Sequence, residues 1–182
     1  MKNKRVSQIH SFSSWTRKRG EMQISFGMIF SIIMIIVFIT FAFYGIQKFL
    51  GIQNTAQAGK FANDLQNDID KMWKSSQGSQ EQEYFLPSKV RYICFANYKD
   101  EDTSRGSSSE FFDDLDQAFF EEENLFFHPI GSGEGFDSVA LEHIDIIKTT
   151  EDDNPLCFEN MKGKVSFTIK KNFGGALVTI SD

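Results

Sequence analysis

Apolar and polar positions fall into three regimes along this chain. From Met22 to Gln47 no residue is charged, and Ile24 to Ile46 is almost wholly apolar, with Ser25, Ser31 and Thr40 as its hydroxyl interruptions. At 1.5 Å per residue about 20 residues cross a hydrocarbon core, so this run predicts a transmembrane helix. Its hydroxyls can bond back to the preceding turn, and Gly27 and Gly45 are tolerable in such a helix. A soluble core helix of this length without a polar face would be unusual.

The second regime keeps a helical period but confines the apolar residues to one stripe. Phe61, Leu65, Ile69 and Trp73 recur every fourth position with Met72 beside them, while Asp64, Asp68, Lys71 and Lys74 take other faces. That spacing predicts an amphipathic helix over 54–75. Joined to the apolar run it makes one helix of about 50 residues, with Gly51 and Gly59 as places where it could bend.

In the third regime the period shortens to two. "SSQGSQEQE" (75–83) is polar, contains Gly78 and reads as the connector that ends the helix. "YFLPSKVRYICFANY" follows, with Val90, Tyr92, Cys94 and Ala96 on one face and Lys89, Arg91, Ile93 and Phe95 on the other, a strand after Pro87. "KDEDTSRGSSSE" reads as a solvent loop, Phe112, Leu115 and Phe119 suit a short helix, and "NLFFHP" suits a strand. In "SVALEHIDIIK" the residues Val139, Leu141, His143 and Asp145 alternate, yet a helix is also open. The clearest element is a C-terminal hairpin: Val165, Phe167 and Ile169 alternate with Lys164, Ser166, Thr168 and Lys170, "NFGG" turns, and "ALVTIS" returns.

The predicted fold class is therefore α+β. A long N-terminal helix, half transmembrane and half amphipathic, leads into a small antiparallel β-sheet ectodomain of about 105 residues, enough for one core. The expected division is a basic leader (1–20), a transmembrane helix (21–50), an amphipathic juxtamembrane helix (51–76) and an exported α+β domain (77–182). Twenty phenylalanines are many for this length. The pairs Phe111–Phe112, Phe119–Phe120 and Phe126–Phe127 cannot all point inward on one element. The reading is a core covered on both sides, with a partner-facing apolar patch as the alternative.

Charge adds an orientation. Residues 1–19 carry Lys2, Lys4, Arg5, Arg17, Lys18 and Arg19 and no acid, whereas residues 51–182 carry 12 Lys/Arg against 24 Asp/Glu, a net −12. The positive-inside rule keeps residues 1–20 in the cytoplasm and exports the acidic domain, a single-pass arrangement in the cell membrane. An acidic surface repels phosphate backbones, so nucleic acid is excluded as a partner of the C-terminal part. Export puts Cys94 and Cys157 where disulfides persist.

Three readings of the N-terminus follow. A cleaved secretory signal would use the basic flank and the Ala56-x-Ala58 pattern. However, its apolar run would exceed the usual ~7–15 residues, and the cut would fall far beyond it. An uncleaved anchor fits without further assumption. The third reading uses "KRGEM" (18–22) followed by the charge-free helix, which resembles the leader junction of archaeal type IV pilin-like proteins over residues 17–50. The resemblance implies that a prepilin-type peptidase cuts between Gly20 and Glu21 and that the apolar helix stays with the mature chain. Such subunits are built on a long helix, half in lipid and half against a small sheet, and self-assemble through it. Many archaeal members begin the mature chain with Gln, and many bacterial ones carry Glu fifth; this chain has Glu21 first and Ser25 fifth. A register-setting glutamate is thus either unfilled or moved to Glu21.

Candidate chemistry changes the picture little. Cys94 and Cys157 sit in similar settings ("ICF", "LCF") and suit either a bridge from the first strand to the C-terminal hairpin or two separate buried thiols. A bridge closing so long a loop would contribute ~2–4 kcal/mol. The spacing is not that of a redox pair. Asp100, Asp102 and Ser104 imitate the start of a calcium loop, but Gly106 comes one residue late and Phe111 takes the place of the closing acid, which favours a solvated loop. "FEEEN" and "EDDN" read as solubilising faces. The histidines form no zinc pattern, and "GSGEG" lacks the Lys-Ser/Thr of a phosphate loop. No cofactor, metal or enzymatic activity is expected. The expected function is a structural or assembly subunit, with a solitary anchor presenting a binding or sensing domain as the alternative.

Overall fold

The computed structural model describes residues 26–99, 103–133 and 135–182. The chain divides into two units, Met1–Phe43 and Tyr44–Asp182. Helix α1 (Phe26–Lys74) is 49 residues long and ends within a residue of the sequence-based expectation. Its end has a physical cause: the Lys171 ammonium donates to the carbonyls of Trp73 and Ser75, satisfying acceptors that the last turn leaves open.

The rest of the second unit is two antiparallel sheets. Strands β1 (Gly78–Phe85), β6 (Lys164–Lys171) and β7 (Thr179–Ser181) form one in the order β1-β6-β7. Strands β2 (Tyr92–Phe95), β3 (Leu125–His128), β4 (Ser138–Val139) and β5 (Leu156–Glu159) form the other in the order β4-β3-β2-β5. Two short helices, α2 (Phe112–Asp116) and α3 (Ile146–Thr149), lie in the connections. The long helix and small antiparallel sheets are the α+β class that the periodicity predicts.

The main core gathers Phe61, Leu65 and Ile69 of α1 with Val165, Phe167 and Ile169 of β6 and Ile93, Phe95 and Phe127 of β2 and β3. These are the stripe, the hairpin alternation and one strand face expected from the sequence. A second, smaller cluster lies on the opposite face of β2 and β3. There Cys94, Ala96 and Phe126 are covered by Leu115 of α2 and by Tyr98, Phe111 and Phe119. The four-stranded sheet is thus buried on both faces. Adjacent residues Phe126 and Phe127 point opposite ways, and both are fully buried.

Three elements differ from the reading of the sequence. Residues 78–85 are a strand rather than a connector, paired with β6 over all eight positions from Gly78↔Lys171 to Phe85↔Lys164. Its pattern was hidden because Gln80 and Gln82 line a groove beside Asp68 and Lys71, on the polar flank of α1, so only Tyr84 is buried. Val90 joins Ile93 and Phe95 rather than Cys94, because the chain turns at Pro87–Val90 and alternation starts only at Tyr92. The ambiguous segment 138–148 is neither one strand nor one helix: β4 occupies two residues, and α3 starts at Ile146 behind an Asp145 cap.

Candidate functional site

The feature that most needs a partner is the first half of α1. Every residue from Phe26 to Leu50 is exposed, including Phe38 at 65 %, Phe41 at 70 % and Phe49 at 66 %. Two of its hydroxyls are satisfied internally: Ser31 Oγ donates to the Gly27 carbonyl and Thr40 Oγ1 to that of Ile36, both at 2.8 Å. A helix with satisfied backbone and hydroxyls and apolar side chains on every face is suited to hydrocarbon. Among the described residues it is the one helix long and apolar enough to cross a membrane.

Burial begins at Ala58 and continues through Phe61, Ala62, Leu65 and Ile69. Gly59 lets the ring of Phe136 come close: an added Cβ would lie 3.3 Å from it. Farther along, Trp73 stacks on His143 at 3.7 Å between ring centroids and donates through Nε1 to the Ala176 carbonyl at 3.0 Å. His143 Nδ1 lies 2.9 Å from Asp70 Oδ1, and Gln66 Nε2 also donates to that oxygen. These bonds hold the Asp70 carboxyl below its usual range, the His143 bond contributing most. Gln66 further exchanges hydrogen bonds with the backbone of Glu142. No local spacing announces this cluster, because its members come from segments some 70 positions apart. Its bonds fasten α1 to the 142–143 segment.

Cys94 and Cys157 form a disulfide. They are direct register partners on β2 and β5, so the bridge links neighbouring strands of the four-stranded sheet. Cys94 lies on the strand expected after Pro87, here β2, but Cys157 lies on β5 and not on the C-terminal hairpin, whose strands β6 and β7 belong to the other sheet. Cys94 is fully buried and Cys157 partly so, both within the smaller cluster.

The acidic segments are spent on local structure. Asp153 Oδ1 accepts from the backbone and hydroxyl of Ser107, and Gly106, at φ +81°, leaves it room. Glu123 Oε2 accepts the backbone N–H groups of Glu121, Phe120 and Glu122, which lowers its pKa despite some desolvation. Buried Asn154 accepts from the Asn97 N–H and donates to the Asn97 carbonyl, tying Asn97 to the segment that leads into β5. Asp100 and Asp102 lie outside the described residues, as do Gly20 and Glu21 of the leader junction. Among the described residues no group of three or more His, Cys, Asp or Glu is placed to hold a metal ion. Comparison with known protein families, characterised proteins and solved structures finds no match to any of them.

Proposed function

We propose that the protein is a membrane-anchored, non-catalytic structural or assembly subunit of pilin-like build, whose acidic domain stands outside the cell. The observation that carries this reading is the division within α1. Apolar residues surround the axis as far as Leu50, and beyond Ala58 they narrow to a stripe buried against the sheets. The basic flank of residues 1–19 favours a cytoplasmic N-terminus. A membrane-embedded helix that outlasts leader removal would both park the subunit and pack it against copies of itself. The signal-peptide alternative is disfavoured because a cut after Ala58 would sever α1 and discard a fully buried residue.

Mass spectrometry of the purified protein's N-terminus tests the reading. A chain beginning at Glu21, together with filaments lost in a Gly20→Val variant, is the expected result. A chain beginning at Met1 with no assembly would leave a solitary anchor presenting its domain.

A further inference from the structure

The second unit has one pole that differs in charge and polarity from its acidic surroundings. Strand β1 runs from the end of α1 back to Phe85, beside Gln57 and Lys60 of the helix. The β5–β6 turn lies at the same pole, since Leu86 N donates to the Gly163 carbonyl and Asn160 Nδ2 to the carbonyls of Pro87 and Val90. This pole therefore lies toward the middle of α1, where Phe49, Leu50 and Ile52 are exposed.

Two large apolar side chains stand out there, Phe85 at 62 % exposure and Met161 at 70 %. Lys89, Arg91, Lys162 and Lys164 are exposed around them, with the Lys164 ammonium 5.2 Å from the Phe85 ring centre. Nearby acids offset them in part: Glu83 pairs with Lys164 at 2.6 Å, and Glu159 is exposed. Met161 and Lys164 close a two-residue turn in which Lys162 has φ +59° and Gly163 φ +86°. That turn favours Asn or Gly at its first central position, so a lysine there is held against backbone preference.

Distance is compatible with lipid contact. From Ile52, the last residue of the exposed apolar run, to Gly59, where the domain touches the helix, is roughly 10 Å along the axis. A headgroup layer is about 5–8 Å thick, and lysine stems bridge the remainder. We propose that this pole rests on the membrane surface, with Met161 and Phe85 in the interfacial layer and Lys89, Arg91 and Lys162 on anionic headgroups. This rests on the membrane-anchor reading above. An anionic lipid surface suits the patch better than a protein partner because cations ring exposed apolar tips beside the helix that enters the bilayer.

The test uses full-length protein in vesicles of phosphatidylcholine and phosphatidylglycerol, spin-labelled singly at Met161→Cys, Phe173→Cys or Ile39→Cys. Collision rates with oxygen and with a water-soluble nickel chelate report depth. The Met161 label is expected to show an oxygen-to-nickel ratio several-fold above that of Phe173, a tip at the opposite pole. The Lys89→Glu/Lys162→Glu pair, or phosphatidylcholine alone, should reduce that excess. Equal ratios at 161 and 173, with position 39 in lipid, overturn the proposal while leaving the anchor intact. A water-exposed label at 39 overturns both. Protection at 161 from both reagents, with spin–spin broadening between copies, assigns the pole to a subunit contact and also overturns it.

Discussion

The two halves of α1 belong to one continuous helix yet solve different problems. Before Leu50, apolar side chains ring the axis and none is covered; after Ala58 they recur every fourth position and are covered by two sheets. The halves differ in amount of hydrophobicity, since the second carries Lys60, Asp64, Asp68, Asp70, Lys71 and Lys74, and they differ as sharply in how the apolar residues are distributed around the axis. A stripe can be covered by one protein layer, whereas a full ring needs an apolar medium or several neighbouring helices.

The strongest way to break this comparison is to place a charge in each half. Leu65 is fully buried in the main core. Leu65→Asp removes its packing and leaves an unpaired carboxylate among phenylalanines, with an expected loss of at least about 4 kcal/mol. Urea unfolding of the reconstituted full chain, followed by Trp73 fluorescence, measures it. Ile36→Asp should leave that midpoint in place. Equal shifts would mean that the halves are not separate in their energetics.

The disulfide sharpens the same boundary from the domain side. The bridge closes a loop of 63 positions and lies in the smaller cluster, away from the α1 stripe. The Cys94→Ala/Cys157→Ala double variant is expected to lose about 2–4 kcal/mol of domain stability. Protease protection of the helix in vesicles should not change. Loss of membrane retention in this variant would contradict the separation.

Much of this was legible in the chain because the local period matched the final burial. The Phe61–Leu65–Ile69–Trp73 stripe, the Val165–Phe167–Ile169 alternation and the "NLFFHP" strand each take the predicted form. What could not be read depends on distant neighbours. Strand β1 lacks apolar alternation because Gln80 and Gln82 face the polar flank of α1, and β6 supplies the pairing that makes it a strand. The Phe126–Phe127 pair becomes intelligible only when Tyr98, Phe111, Leu115 and Phe119 cover the second face. Asp70 and Trp73 meet His143 across 73 and 70 positions, with no spacing to announce them.

The exposed half can be probed without touching the domain. Ile36→Lys puts an ammonium near the middle of the apolar run, where insertion should become about 3 kcal/mol less favourable. A glycosylation-based insertion assay would record this as a fall in the inserted fraction. An unchanged fraction would argue that residues 26–50 are covered by protein rather than lipid.

The smallest expected effect lies on the flank of the docked half. Asp70 is held below its ordinary range by His143 and then by Gln66, so its folded-state pKa lies beneath the unfolded one. A carboxylate depressed in this way contributes stability above the ordinary range near pH 4, and that contribution disappears as pH falls through the lower folded value. The side chain is about one-third exposed, so screening keeps the contribution below about 1 kcal/mol. Asp70→Asn retains an acceptor for Gln66 but cannot titrate. Its urea midpoint should fall less steeply than the wild type's between pH 5 and 2. Parallel acid limbs would show that Trp73 stacking and the Gln66–Glu142 backbone bonds fasten this part of α1 without help from the carboxylate's charge. That outcome would place the hold of the docked half in packing and neutral hydrogen bonds alone.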